Sequence, residues 1–350
     1  MSQATHDDVM TALGGIHDRY HDKDIVSLAM VRDARVEGGR ARIHLVLPSP
    51  AYPLRQQFEE EARRRIRALP GITDVDVDVT AEVAAPPALL GNAMPGVKHP
   101  IAVASGKGGV GKSTVAVNLA VALAQSGAAV GLLDADIYGP SIPIMLGERR
   151  QPKPSPSGKI LPLERYGLRM MSIGFIATGD TPIVWRGPLV ARMLQQFLMQ
   201  VEWGELDYLV IDLPPGTGDA QLTLSQQCPL SGAVIVTTPQ EVALEDVYRA
   251  VQMFGQVRVP ILGIVENMSG FACPHCGEVT SIFRAGGGEL AAERLGVPLL
   301  GRVPLDPAIC DGGDAGKPIV SEHPESPQSG VFRTIAGEVA AGLAVLSRAV

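Results

Sequence analysis

Aromatic residues make up only 4% of this 350-residue chain, too few for the stacking platforms that hold single-stranded nucleic acid. Basic charge is scarce as well. Thirty Lys and Arg stand against 37 Asp and Glu, a formal charge of −7, which argues against a general nucleic-acid binder. Four cysteines in so long a chain make no disulfide framework, and none precedes Cys228. No apolar run reaches the roughly 18–20 residues of a membrane span. The segment Met1 to His21 is polar and acidic, unlike a secretory signal or transit peptide, so a reducing cytoplasm is the expected compartment. Neither nucleic acid nor membrane is expected as a partner.

Glycine, by contrast, is plentiful at 39 residues. Its most telling cluster is Gly106-Lys107-Gly108-Gly109-Val110-Gly111-Lys112-Ser113-Thr114. An apolar run, Ile101 to Ala104, precedes it, and a helical pattern from Val115 to Gln125 follows. Strand, glycine-rich turn and helix are the parts of a phosphate cradle: backbone N–H groups turn inward, and the helix N-terminus adds partial positive charge. In the pattern G-x-x-x-x-G-K-[ST], Lys112 reaches the β- and γ-phosphates and the Ser113 hydroxyl sits on Mg²⁺. The same glycines also satisfy the dinucleotide pattern G-x-G-x-x-G, with Asp134 or Asp136 near the place of a ribose-binding acid. That alternative gives Lys112-Ser113 no role, so a nucleoside triphosphate is the preferred ligand. Lys107 is a further lysine that phosphate binding alone does not require.

Residues 1–83 read as a small αββαβ unit. Its helices are Asp7 to His17 and Tyr52 to Leu69, and its strands are Ile25 to Arg35, Ala41 to Leu47 and the alternating run Ile72 to Val79. The aspartates of that last run are expected on a solvated sheet face. Residues 84–100, rich in Ala, Pro and Gly, form a linker. From 101 to 350, apolar runs alternate with helical ones. Strands are expected at Ile101–Ala104, Ala128–Leu133, Tyr208–Ile211, Ala233–Thr237, Ile261–Val265 and Leu299–Val303, with helices including Ala191–Val201 and Val242–Gly255. Near-continuous apolar strands imply a doubly wound, mostly parallel sheet covered on both faces, with ligands at the strands' carboxyl ends. Gln151 to Gly158, with three prolines, is expected to be a mobile surface excursion, and Val331 to Val350 a docked terminal helix without a basic membrane-seeking face.

Acids stand where such strands end. Asp134 and Asp136 follow one strand, positioned to hold Mg²⁺ through water or to orient an attacking water. Tyr208-Leu209-Val210-Ile211-Asp212 is an apolar strand closed by an aspartate, and Leu213-Pro214-Pro215-Gly216-Thr217-Gly218-Asp219 after it is a candidate switch. Trp185-Arg186-Gly187-Pro188 is a further candidate, for a dimer-facing loop or for a packed Trp beside a surface Arg.

These residues together resemble a known family. The glycine loop is similar to the deviant Walker A motif of MinD/ParA-type ATPases. Trp203-Gly204-Glu205-Leu206-Asp207-Tyr208, with Asp212 and the Leu-Pro-Pro-Gly-Thr-Gly-Asp run, resembles the Mrp/ApbC branch, the iron–sulfur cluster carrier ATPases. The resemblance runs from about Ile101 to Arg348. It implies a P-loop ATPase in which Lys107 reaches a partner's phosphates across a nucleotide-sandwich dimer, stabilising transition-state charge in trans. It implies further that Asp136 positions the attacking water, Asp134 and Asp212 support Mg²⁺ with Ser113, and Asn267 recognises the base. The N-terminal unit resembles the iron–sulfur-assembly domain often fused ahead of these ATPases, on Leu47-Pro48-Ser49-Pro50-Ala51-Tyr52-Pro53-Leu54 and Leu69-Pro70-Gly71-Ile72. Members often carry a reactive cysteine in the first of these loops; this chain has none, which leaves a docking role.

Phe271-Ala272-Cys273-Pro274-His275-Cys276-Gly277 places two thiols within reach of one metal centre, and its glycine permits a tight turn. Cys228 and Cys310 offer no matching pair and read as unremarkable thiols; His275 reads as a solvated loop residue. Two ligands leave a four-thiolate site half built, and a symmetric dimer completes it as two cysteines from each chain. The family resemblance implies a [4Fe–4S] cluster bridging the homodimer, to be handed from an unidentified scaffold to apo iron–sulfur proteins. A bridging Zn²⁺ in a structural dimer, a redox pair, and a MinD/ParA-type spatial organiser are the alternatives.

Overall fold

The computed structural model describes residues 4–86, 94–176, 187–216, 221–222, 225 and 228–348, with side-chain detail lacking at 187–191 and 242. The chain divides into two compact units, residues 1–84 with 340–350, and residues 85–339.

In the smaller unit, α1 (His6–Leu13) and α2 (Arg55–Arg67) accompany a short β1–β2 pair (His17–Asp18, Lys23–Asp24) and a three-stranded sheet. β3 (Val31–Glu37) pairs antiparallel with β4 (Arg40–Leu47), and β4 pairs parallel with β5 (Asp74–Ala81). A Thr5–Asp8 capping box starts α1, in which Thr5 Oγ1 accepts from the Asp8 N–H and the Asp8 carboxylate accepts from the Thr5 N–H. α1 stops at Leu13, four residues short of the expected end, because Gly14-Gly15 follows. Residues 25–30 turn rather than extend, so β3 begins at Val31. Asp74, Asp76 and Asp78 stand on the outer face as expected, with Asp74 paired to Arg40 at 2.8 Å. Alanines 341 and 344, at the chain's end, belong to this unit's core with Val9, Leu45 and Phe58.

The larger unit is built on eight strands: β6 (Val97–Ala104), β7 (Val130–Asp134), β8 (Leu163–Arg165), β9 (Leu168–Ser172), β10 (Leu206–Asp212), β11 (Gly232–Thr237), β12 (Ile261–Asn267) and β15 (Leu299–Val303). A two-stranded hairpin, β13 (Phe271–Ala272) and β14 (Val279–Thr280), stands apart. The large sheet runs β15-β12-β11-β6-β10-β7-β9-β8, parallel throughout except for the antiparallel edge strand β8. The helices are α3 (Lys112–Gln125), α4 (Ile142–Met145), α5 (Gly187–Gln200), α6 (Glu241–Gln256), α7 (Gly287–Leu295), α8 (Pro307–Asp314), α9 (Ile319–Glu322) and, as far as residue 339, α10 (Pro327–Arg348), whose last residues belong to the smaller unit. The doubly wound, mostly parallel architecture follows from the sequence pattern: β7 and β11 are buried at every position, as strands covered on both faces must be. The chain leaves β6 toward β10 and β7 on one side and later returns to β11 on the other, so the loop after β6 lies at the switch point where such sheets bind ligands.

Two sequence expectations change. Ser155 and Ser157, in the proline-rich excursion, both donate to the Glu202 carboxylate, which anchors it. Finally, α10 is long and apolar enough by length and composition to cross a membrane, whereas the sequence pattern leads to no run of that kind. In the structure 56% of its apolar window is buried, as in the core helix of a globular protein.

Candidate functional site

The loop after β6 has the shape its glycines predict. Gly109 and Gly111 take left-handed φ of 78° and 79°, and α3 begins at Lys112 with no side-chain cap, leaving its first N–H groups for an anion. Gly106 has no room for a side chain, since a Cβ there would lie 2.4 Å from the Asp246 backbone. Ser105 braces the loop by donating to the Lys107 carbonyl and accepting on its own carbonyl from the Gly216 N–H at 3.0 Å.

Register explains the acids. Asp212 of β10 stands directly beside Asp134 of β7, which stands beside Ser172 of β9. Parallel neighbours lie about 5 Å apart, so two carboxylates share one buried strand-end row. Both are fully buried. Lys112 enters this row: its ammonium donates to Asp212 Oδ1 at 2.5 Å and lies 4.0 Å from Asp136 Oδ2. Asp134 accepts from Ser172 Oγ at 2.9 Å and from the N–H groups of Asp136 and Ile142. Burial, and next the charge of Asp212, push its carboxyl well above the usual range. Burial also raises half-buried Asp136, Lys112 acting against it and Asp212 with it. Asp212 Oδ2 is buried and has no hydrogen-bond partner among the described residues.

Mg²⁺ fits this end of the sheet. Ser113 opens α3 beside Lys112, and the unpartnered Asp212 Oδ2 is an acceptor suited to a metal-bound water. Among the described residues no three His, Cys, Asp or Glu side chains form a complete metal cage. A site that borrows most ligands from phosphate and water is how Mg²⁺ is ordinarily held.

Lys107 is half-buried, its ammonium 3.5 Å from Gln240 Oε1 at the start of α6. Asn267 is buried, and its Nδ2 donates to the Val110 carbonyl at 2.8 Å, clasping the glycine loop from the end of β12. Gly111 suits this place too: its φ of 79° strains any side chain, and a Cβ would displace that Nδ2, 2.1 Å away. Trp185 and Arg186 of one candidate loop, and Thr217 to Asp219 of the switch, lie outside the described residues.

Cys273 and Cys276 project on the β13–β14 hairpin, where residues 274–282 are all exposed. The turn closes through Gly277 N–H to the Cys273 carbonyl at 2.8 Å, and Gly277 takes the left-handed φ of 76° that the sequence predicts. Hydrogen bonds from the His275 and Cys276 backbone N–H groups, then from the Cys276 side chain, lower the Cys273 thiol below its usual range. His275 is exposed beside them. Cys228 is the opposite case: buried, its thiol pushed up to about 12 by burial. Ser172, Gln240 and Glu266 were not singled out in the sequence. Ser172 is signalled only by its strand pairing with β7, and the β8–β9 edge hairpin was not anticipated.

Comparison with known proteins gives the family. The model of the NUBPL iron-transfer P-loop NTPases matches residues 96–340, and that of an iron–sulfur cluster assembly protein matches residues 6–79. The chain belongs to the NUBPL-type iron-transfer P-loop NTPases, preceded by an iron–sulfur-assembly domain. It is 51% identical to the iron-sulfur cluster carrier protein of Synechocystis sp. over 342 residues, 96% of this chain and 97% of the relative. It is 46% identical to the protein of that name in Escherichia coli, across 86% and 82% of the two chains. Among solved structures, a nucleotide-binding protein of Archaeoglobus fulgidus in complex with ADP superposes with TM-score 0.60 at 43% identity, covering 67% of this chain and 91% of that one. The cell-division ATPase MinD of Pyrococcus furiosus follows the same fold, with TM-score 0.52 at 25% identity across 69% and 98%.

Proposed function

We propose that this chain is an ATP-hydrolysing carrier that holds a [4Fe–4S] cluster between two copies of itself and transfers it to apo iron–sulfur proteins. One observation carries the reading: each chain offers two thiols, Cys273 and Cys276, on an exposed hairpin in the same unit as a P-loop. A four-thiolate centre then needs a second chain. The similarity to iron-sulfur cluster carrier proteins supports iron–sulfur cargo over a spatial organiser.

ATP binds with its phosphates over the N–H groups of residues 108–114, and Lys112 exchanges Asp212 for the β- and γ-phosphates. Ser113, with Asp212 and Asp134 behind it, holds Mg²⁺, which supplies charge neutralisation at the phosphates. Asp136 orients the attacking water, and Asn267 meets the base. Lys107 leaves Gln240 and serves the partner's nucleotide. The smaller unit, without a cysteine, docks a cluster donor or recipient. The carrier works in the cytoplasm.

Anaerobic reconstitution with iron and sulfide tests this. Four iron and four sulfide per dimer with visible charge-transfer absorbance is the expected result, lost in Cys273→Ala/Cys276→Ala. Stoichiometric zinc without sulfide, or a stable cluster in the double variant, would overturn it. Lys107→Ala is expected to slow hydrolysis by about 10²-fold or more while nucleotide affinity stays within a few-fold; unchanged turnover refutes the in-trans role.

A further inference from the structure

The hairpin and the glycine loop are both held at the end of β12. Successive residues of a strand point to opposite faces, and the last two residues of β12, Glu266 and Asn267, use this to hold two different segments. Asn267 holds the loop through the Val110 carbonyl. Glu266, with no exposed surface, holds the cysteine segment at both its ends. Its Oε1 accepts from Ser269 Oγ at 2.5 Å, just before β13, and from the Gly286 N–H at 3.4 Å. Its Oε2 accepts from the Gly288 N–H at 2.5 Å, in the first turn of α7. Packing leaves no slack: a Cβ at Gly288 would lie 2.8 Å from Glu266 Cβ. The other anchors of the hairpin's root are Ser269 N–H to the Val303 carbonyl and Leu305 N–H to the Gly270 carbonyl.

We infer that Glu266 and Asn267 link the two sites, so that nucleotide in the glycine loop sets the position of the Cys273–Cys276 hairpin, with Glu266 as the positioning residue. An asparagine that releases the Val110 carbonyl to meet a base moves the end of β12. The neighbouring carboxylate, tied to Ser269, Gly286 and Gly288, carries that movement to both roots of the hairpin. This rests on the nucleotide half of the proposed function, in which Asn267 meets the base, and not on the cluster, because the link is measurable without any cluster.

The experiment uses the full, metal-free chain carrying Cys310→Ser, in which Cys273 and Cys276 are the accessible thiols and Cys228 is buried. Alkylation of each thiol by N-ethylmaleimide is followed by mass spectrometry with and without Mg²⁺ and a slowly hydrolysed ATP analogue. Nucleotide is expected to change the rate at Cys273 and Cys276 by about fivefold or more. In Glu266→Gln, whose amide cannot accept from both N–H groups and the hydroxyl together, that ratio falls toward one while nucleotide still binds. A nucleotide that binds the parent chain without altering the rates overturns the link. So does a Glu266→Gln chain that keeps the full ratio. Should Glu266→Gln not fold, Ser269→Ala deletes one donor and no charge, and an unchanged ratio there overturns the link as well. Failure of the carrier reading shows elsewhere, as absent iron and sulfide after reconstitution.

Discussion

Asp18 in the smaller unit and Asp134 at the nucleotide end are both wholly buried aspartates, and their surroundings push them in opposite directions. Burial raises the Asp18 carboxyl, but hydrogen bonds from His21, Tyr52 and the Tyr20 N–H outweigh it and hold the group below its ordinary 3.8. Asp18 Oδ2 accepts from the Tyr52 hydroxyl at 2.6 Å and lies 3.0 Å from His21 Nδ1, while Oδ1 accepts from two backbone N–H groups. Asp134 has a comparable set of donors, yet it also has Asp212 beside it, and its carboxyl rises. The difference teaches how to tell a buried acid that builds the fold from one that serves a ligand. The first is surrounded by donors. The second is set against another acid, Asp212, whose Oδ1 takes the one lysine and whose Oδ2 is left over, an arrangement that costs stability until a cation arrives.

The largest effect that sharpens this contrast is expected from Asp212→Asn. Hydrolysis should fall by about 10²-fold or more, while the chain stays folded, because Lys112 keeps the Asp136 carboxyl, its Oδ2 4.0 Å away, as a partner. Steady-state phosphate release and circular dichroism measure the two halves. A variant that hydrolyses normally would place Asp212 among the structural acids.

Next in size is a pH effect on Asp134→Asn. Because the folded carboxyl is raised, the native chain holds a proton that the unfolded chain has released. Stability from this group is complete below the ordinary 3.8 and is lost as pH rises through the raised value. Within that window the loss approaches about 1.4 kcal/mol per pH unit. Urea unfolding between pH 5 and 7, read as the variant minus the parent chain, should show that slope removed. An identical slope in both chains would mean that Asp134 is as well accommodated as Asp18, and the comparison would fail.

Much of this was legible in the sequence, and the reasons are physical. Strands buried on both faces must be apolar throughout, so β7, β10, β11 and β12 announce themselves, and a strand closed by aspartate after a glycine loop has few other uses. The Cys-x-x-Cys-Gly turn is equally local. What could not be read depends on contacts far apart in the chain. Asn267 meets Val110 across 157 residues, and Ser172 reaches Asp134 only because the short, charged β8–β9 hairpin joins the sheet edge. Glu266 reads as an ordinary strand-end acid until α7 folds against it. Tyr52 reads as the start of a helix; its hydroxyl finds Asp18 34 residues away.

Tyr52→Phe gives the smallest effect and tests the structural side of the comparison. It removes one hydroxyl from a ring that is 2% exposed and leaves a lone pair of Asp18 without its donor. An unmet buried acceptor costs about 1–3 kcal/mol. His21 cannot compensate: its Nδ1 already faces Asp18, and its Nε2 is buried without a partner among the described residues. The loss should stay within the smaller unit. Hydrogen exchange of the full chain, read by mass spectrometry, is expected to quicken roughly 5- to 150-fold in peptides from β3, β4 and β5, while peptides from β6 and α3 keep their rates. Hydrolysis should not change. Since the Asp18 carboxyl is held below its ordinary value, the stability it contributes is present above that value and lost on acidification. The Tyr52→Phe deficit should therefore shrink below about pH 4. A deficit that instead grows on acidification, or a variant whose hydrolysis falls with its exchange protection, would show that Asp18 is no purely structural acid.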